Sequence, residues 1–194
     1  LTPAKTLFDY KFVKADGLNK PIVSDGTVVT YYYKNKNEEH THTWSAWKYN
    51  NDAVYNSSSD YKDGTQTRTC SACGESETKE APNTALLRRR GNALSLESSI
   101  TLATYITKDV VDYYDEVYAE FTRNGKTEKV YPSGKTLTSN SIVYCIFDYT
   151  GISPQALGDD VSITFYGVKD GVTYNGNAYK YSATDYIKST LNKP

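Results

Sequence analysis

Residues 40–82 constrain this chain more than any other stretch, because they hold almost no aliphatic side chains with which to build an interior. The middle of the stretch, Asn50 to Gly64, is polar and reads as loop. Yet it carries both histidines of the chain, in His40-Thr41-His42-Thr43-Trp44. Two of the three cysteines lie in Thr67-Arg68-Thr69-Cys70-Ser71-Ala72-Cys73-Gly74. A segment this small and this polar needs a metal, a disulfide or a neighbouring domain to hold it. Thiolate and imidazole are the donors tetrahedral zinc prefers, and Cys-x-x-Cys followed by Gly can clamp one ion from a tight turn. His42, Cys70 and Cys73 are therefore the first candidate ligands. The competing reading joins Cys70 to Cys73 as a disulfide. With four protein ligands the ion is structural, since catalytic zinc keeps a water position and usually a nearby general base.

The bulk properties exclude several functions. The chain has 194 residues and a net charge of -1, so no excess of positive charge favours nucleic acid or an anionic membrane. No apolar run approaches the roughly 18 residues of a transmembrane helix, and no basic-then-apolar leader opens the sequence. A start at Leu1, no Met and a Lys-Pro end read as a piece of a longer polypeptide. Nineteen tyrosines, with many Thr and Val and a mean hydropathy of -0.63, predict a thin, well-solvated β protein. Nucleotide-binding and Gly-x-Ser-x-Gly fingerprints are absent.

Three segments separate by composition, at 1–37, 38–83 and 84–194. In the first, Thr6–Val13 and Thr27–Lys34 predict two strands separated by turn-rich Asp16-Gly17 and Asp25-Gly26. The second is expected to form a metal-stapled hairpin. In the third, Val117, Ala119 and Phe121 alternate with Glu116, Tyr118 and Glu120, and Val161, Ile163 and Phe165 alternate likewise. Asn124-Gly125 is the signal of a type I′ hairpin, and Ile142–Tyr149 reads as a central strand. Short strands at this spacing predict an Ig-like β-sandwich. Ser153-Pro154 predicts one helical turn, and Ser182-Ala183-Thr184-Asp185 starts a short C-terminal helix with an approximate capping box.

Each segment also resembles a module of secreted surface proteins from gut Firmicutes. Ser24-Asp25-Gly26-Thr27-Val28-Val29-Thr30-Tyr31-Tyr32-Tyr33-Lys34 resembles the closing strand of mucin-binding-protein-type repeats, over about thirty residues. His42-Thr43-Trp44, Asp63-Gly64, Thr67-Arg68-Thr69-Cys70, Cys73-Gly74 and Glu77-Thr78 resemble a short repeat of the form H-T-W…C-x-x-C-G found in the same proteins. Where that repeat has a further cysteine, ten residues before Cys70, this chain has Asp60. The resemblance thus implies a zinc shell of His42, Asp60, Cys70 and Cys73, with His40 as the substitute if Asp60 points away. Gly91-Asn92-Ala93-Leu94-Ser95-Leu96 and Tyr179-Lys180-Tyr181-Ser182-Ala183-Thr184-Asp185-Tyr186 resemble a C-terminal β domain of clostridial extracellular proteins, over about a hundred residues. That likeness implies location rather than chemistry.

The remaining features have plain readings. Cys145, between Tyr144 and Ile146, is expected to be a buried, inert side chain. Asp109, Asp112, Asp115 and Glu116 read as a solvated acidic loop. Arg88-Arg89-Arg90 could serve as a protease-sensitive joint or an anion contact, and the expected reading is a solvated joint. Tyr32, Trp44, Trp47, Tyr113 and Tyr114 are the candidate rings for stacking on a sugar. The sequence therefore predicts a mainly β fold: a small β module, a metal-stapled β-hairpin and an Ig-like sandwich ending in a short helix. The expected function is that of a non-catalytic, extracellular or cell-wall-attached unit of a Gram-positive surface protein, acting in adhesion or as a spacer. The alternative is a carbohydrate-binding module for host or dietary glycans. Its partners would be a glycan or a host surface protein, without nucleic acid or membrane insertion.

Overall fold

The computed structural model describes residues 6–7, 10–16, 29–35, 41–97 and 99–191. His40 and most of the expected turn region between the first strands lie outside them. The chain divides into two compact units, Leu1–Thr43 and Trp44–Pro194. In the first, β1 (Thr6–Leu7), β2 (Tyr10–Asp16) and β3 (Thr30–Asn35) form an antiparallel sheet in that order. A register shift between Phe12 and Lys14 lets Phe12 meet the Tyr33 ring edge-on at 5.9 Å. The strand expected over 6–13 is divided between β1 and β2, and β3 covers the end of that expected over 27–34; residues 8–9 and 27–28 lie outside the described residues.

The second unit begins with the polar region. β4 (Lys48–Tyr49), β7 (Gly64–Thr69) and β8 (Ser76–Ala81) make one small antiparallel sheet, in the order β4-β7-β8. β5 (Val54–Ser57) and β6 (Asp60–Lys62) pair as a separate hairpin. The sandwich follows: β9 (Gly91–Leu96), β10 (Ile100–Thr107), α1 (Lys108–Tyr113), β11 (Glu116–Arg123), β12 (Lys126–Val130) and β13 (Thr136–Ser139). It continues through β14 (Ile142–Ile152), β15 (Val161–Lys169), β16 (Val172–Asn175), β17 (Tyr179–Tyr181) and α2 (Ala183–Leu191).

One sheet runs β13-β14-β10-β9; the other runs β12-β11-β15-β16, with β17 also on β15. In the immunoglobulin arrangement the first, second, fifth and fourth strands share a sheet, opposite the third, sixth and seventh. Here β9, β10, β14 and β13 fill the first set. β11, β15 and the divided strand β16/β17 fill the second, with β12 added at the edge. The period-two alternation produces this fold directly. Val117, Ala119 and Phe121 on β11, and Val161, Ile163 and Phe165 on β15, are all buried, while their neighbours face outward. Across the two sheets Phe147 meets Phe165 edge-on at 5.2 Å, and Phe121 stacks on Tyr149 at 4.9 Å.

Local signals also operate. Asn124 and Gly125 have φ of 50° and 75°, the two positive values a type I′ turn requires. At α2, the Asp185 N–H donates to Ser182 Oγ (3.0 Å) while the Ser182 N–H donates to Asp185 Oδ2 (3.1 Å), a reciprocal cap. Sequence reading missed α1. Six residues carry too little periodicity to announce a helix, and α1 forms where the chain crosses between sheets with Val110 buried. The neighbouring acidic groups mostly have cationic partners: Lys108 pairs with Asp112, Lys169 with Asp115 and Lys129 with Glu116.

The composition change near residue 83 falls inside the second unit, because residues on both sides of it share one core. Ala81 and Leu87 are buried together with Tyr114 and Tyr174. The Asp63 carboxylate accepts the N–H groups of Asn83 and Ala85 (2.8 and 2.9 Å), fixing the turn between the two parts. Tyr49 packs edge-on against Tyr174 at 5.3 Å, and the Tyr174 hydroxyl donates to Gln66 Oε1 at 3.0 Å. Gln66 is itself buried, so this bond joins β7 to the sandwich with no water to replace it. Tyr174→Phe strands the Gln66 carbonyl, and a loss of about 1–3 kcal/mol is expected in urea denaturation. An unchanged midpoint would show that the bond contributes nothing.

Candidate metal centre

The site begins with two strands that overrun their hairpin. β7 continues into Cys70, whose N–H donates to the Glu75 carbonyl (2.8 Å), while the Gly74 N–H donates back to the Cys70 carbonyl (2.9 Å). The second bond requires the chain to turn left-handed at its end, which Gly74 supplies with φ of 73°. The loop between the cysteines is therefore a tight turn that faces both thiols the same way. From the other side, Trp44 bridges Cys70 in antiparallel fashion, and the Ser45 N–H donates to the Thr69 carbonyl (3.0 Å). The register slips by one residue between this bridge and the Lys48↔Thr67 pair of β4.

The result is a cluster. The ligating atoms of His42, Cys70 and Cys73 all lie within 4.8 Å of one another. Donors at about 2.0–2.3 Å around a tetrahedral ion sit roughly 3.3–3.8 Å apart, so a contraction of about 1 Å closes the shell. Cys70 is buried, and His42 and Cys73 are half-buried. The three cysteines of the chain are thiols rather than half-cystines. Two thiols on one turn together with the His42 imidazole could hold a metal ion, and soft donors of this kind exclude a calcium- or magnesium-type site.

The other expected ligands fare differently. Asp60 is not brought to the cluster. It lies exposed on the β5–β6 hairpin, where its Oδ2 accepts from Asn56 Nδ2 at 2.9 Å. The pairing of β5 with β6 keeps it there, and no sequence spacing could reveal that. His40 lies outside the described residues.

Around the cluster, polar ladders replace an apolar core. Thr67 and Thr78 share a hydroxyl bond at 3.0 Å, as do Thr69 and Ser76. Asn50 Nδ2 donates to Thr65 and Thr67 Oγ1 at 2.8 and 2.9 Å. Arg68 pairs with Glu77 directly across the β7–β8 ladder and lies over both indoles, 4.8 Å from Trp44 and 4.6 Å from Trp47. Lys79 also covers Trp47, at 4.3 Å. The sequence reading named Arg68 and Glu77 only within the repeat-like motif and not as a pair, although their opposite charges at facing hairpin positions were a usable signal.

The candidate sugar-stacking rings contact other side chains of the protein. Tyr114 is a core residue, its hydroxyl donating to the Pro82 carbonyl (3.2 Å), and burial pushes its phenol pKa well up. Tyr113 packs edge-on against it at 5.0 Å. Trp44 and Trp47 are engaged by cations, and Tyr32, exposed on β3, lies under Lys14 Nζ at 4.7 Å. On the outer face of the sandwich, Tyr118 stacks on Tyr166 at 5.0 Å with Lys129 Nζ 3.6 Å above it. Most tyrosines thus fill the pleat or pair with lysine and arginine. Cys145 is buried on β14, and burial raises its thiol pKa, so it is a poor thiolate.

Fold and site together define a class: an immunoglobulin-type β-sandwich fused through a shared core to a small polar β module with a His/Cys/Cys cluster. No family model matches the sequence, and no curated protein does. No helix among the described residues is long and apolar enough to cross a membrane.

Proposed function

We propose that this chain is a non-catalytic, extracellular or cell-wall-attached module of a Gram-positive bacterial surface protein, serving as a structural spacer within an adhesive assembly. The observation that carries the reading is the single core shared by the polar module and the sandwich. Tyr49, Gln66 and Ala81 on one side meet Tyr114 and Tyr174 on the other, which leaves no hinge between the two parts. A surface spacer needs this continuity, because a pulling force then acts on strands that share one interior.

In this reading the ion is zinc and its role is structural. His42, Cys70 and Cys73 supply imidazole and thiolate, the donor set zinc favours. With Asp60 held on its own hairpin, His40 is the proposed fourth ligand. The metal substitutes for apolar burial at the end of the module farthest along β7 from Tyr174, where hydrogen-bonded threonines and serines supply no interior.

Single-molecule pulling on the zinc-loaded chain, tethered at Trp44 and Leu191, tests the spacer role. The expected trace has one cooperative unfolding event for residues 44–191. Two well-separated events, one for the polar module and one for the sandwich, would overturn it.

A further inference from the structure

Arg88-Arg89-Arg90 is not the solvated joint its composition suggests. All three side chains are half-buried. Arg88 lies 3.7 Å above the Tyr55 ring, and Arg90 Nη1 donates to the Tyr55 hydroxyl at 3.0 Å. Arg89 lies over Tyr179 at 4.8 Å. With the Asn92 amide turned to donate to the Gly91 carbonyl, its oxygen accepts from Arg89 Nη1 at 2.9 Å. These contacts fix three cations in place, yet none of them cancels charge. Among the described residues, no carboxylate pairs with Arg88, Arg89 or Arg90. Arg90 Nε is buried without an acceptor. Burial lowers the Arg88 pKa, and Arg90 and Arg89 lower it further against the opposing effect of Tyr55. A guanidinium does not deprotonate under such pressure, so the positive charge persists.

Beside these arginines the fold leaves a concavity. The last strand of the sandwich is interrupted between β16 and β17, and the chain at Gly176 turns in against the Leu87 carbonyl. The resulting cavity, about 210 Å³, is lined by Arg88 and Arg89, the rings of Tyr55 and Tyr179, and the amides of Asn51 and Asn177. Guanidinium forks match the two oxygens of a carboxylate or sulfate, amides serve hydroxyl groups, and tyrosine faces take apolar C–H surfaces.

We propose that this pocket binds a carboxylate- or sulfate-bearing ligand about the size of one sugar ring, being smaller than the roughly 300–1,000 Å³ of sites for drug-sized ligands. The anion lies between Arg88 and Arg89 and supplies the negative charge that the described residues do not pair with them. The proposal rests on the pocket alone and is independent of the spacer and zinc readings.

The test is a titration of the ¹⁵N-labelled full chain with sodium D-glucuronate, sodium sulfate and neutral D-glucose at matched ionic strength, following amide shifts at Asn51, Arg88, Arg89 and Asn177. Saturable shifts are expected with at least one of the anions and none with glucose. Tighter binding of glucuronate assigns part of the affinity to the sugar ring, and equal binding of sulfate assigns it to the charge; both uphold the site. Arg89→Gln is expected to weaken binding at least tenfold. Because Arg89 also bonds Asn92, Asn177→Asp provides a second variant at an exposed position; a carboxylate at the pocket rim should weaken anion binding similarly without disturbing the fold. No saturable response to either anion, an equal response to glucose, or undiminished binding in both variants would overturn the proposal.

Discussion

Chelating the proposed zinc is expected to release residues 42–47 and 68–76 while leaving the sandwich intact. These residues are held by the Trp44↔Cys70 bridge, the Cys70–Glu75 turn and a hydroxyl ladder. The hydroxyl bond between Thr69 and Ser76 is exposed, so water can replace it. An ion at a thousandfold excess over its dissociation constant adds about 4 kcal/mol to the closed form. Its removal should therefore speed amide exchange in these segments by roughly a thousandfold. Amides on β14 and β15 should not change, because Phe147, Ile163 and Phe165 are buried without help from the module's outer end. Cys73→Ser should reproduce the effect and abolish stoichiometric zinc in elemental analysis. It is the better variant, since Cys73 is half-buried and Cys70 is 1% exposed. Unchanged exchange after chelation, or a purified chain free of zinc, would remove the staple.

Gly176→Ala is expected to be the most destabilising single methyl in the sandwich. A Cβ at this position would stand 1.7 Å from the Leu87 carbonyl oxygen and 2.9 Å from its carbon. Neither side can withdraw cheaply. The Gly176 N–H donates to the Phe165 carbonyl (3.0 Å), and the Leu87 N–H donates to the Thr84 carbonyl with the Leu87 side chain in the core. Overpacking a well-packed interior typically costs 1–3 kcal/mol, and a backbone obstacle belongs at or above the upper end, about 3 kcal/mol or more. That is a large part of the roughly 5–15 kcal/mol that separates a folded domain from its unfolded chain. Gly158→Ala is the control: nothing lies within 4 Å of its Cβ, and a change within about 0.5 kcal/mol is expected. Urea denaturation of both variants decides the matter. A cost below about 1 kcal/mol for Gly176→Ala would show that the joint at Leu87 does not press on the last strand.

The contrast between these two expectations follows how the chain is held at each place. At Gly176 the constraint is steric, with the Leu87 carbonyl standing where a Cβ would go, so one methyl is felt. At Cys73 the constraint is chemical and lies at the wet end of a polar sheet, so a donor atom is felt and a methyl is not.

Much of the architecture was legible in the residues. Alternation on β11 and β15, the Asn124-Gly125 turn and the Ser182–Asp185 cap are local signals, because period-two burial, left-handed turns and helix caps depend on neighbours within a few residues. The Cys70–Cys73 turn was legible for the same reason: two cysteines and a glycine close one loop whatever surrounds them. Tertiary structure alone decided the rest. It left Asp60 on a hairpin bonded to Asn56, buried Tyr114 under Pro82, and placed Arg88 and Arg89 on tyrosine rings around a pocket. The Tyr114 and arginine outcomes depend on residues dozens of positions apart, and Asp60, bonded to Asn56 only four residues away, is kept from the cysteines by where its hairpin lies. Neither spacing nor composition encodes which strand a side chain will face once the sheets have packed.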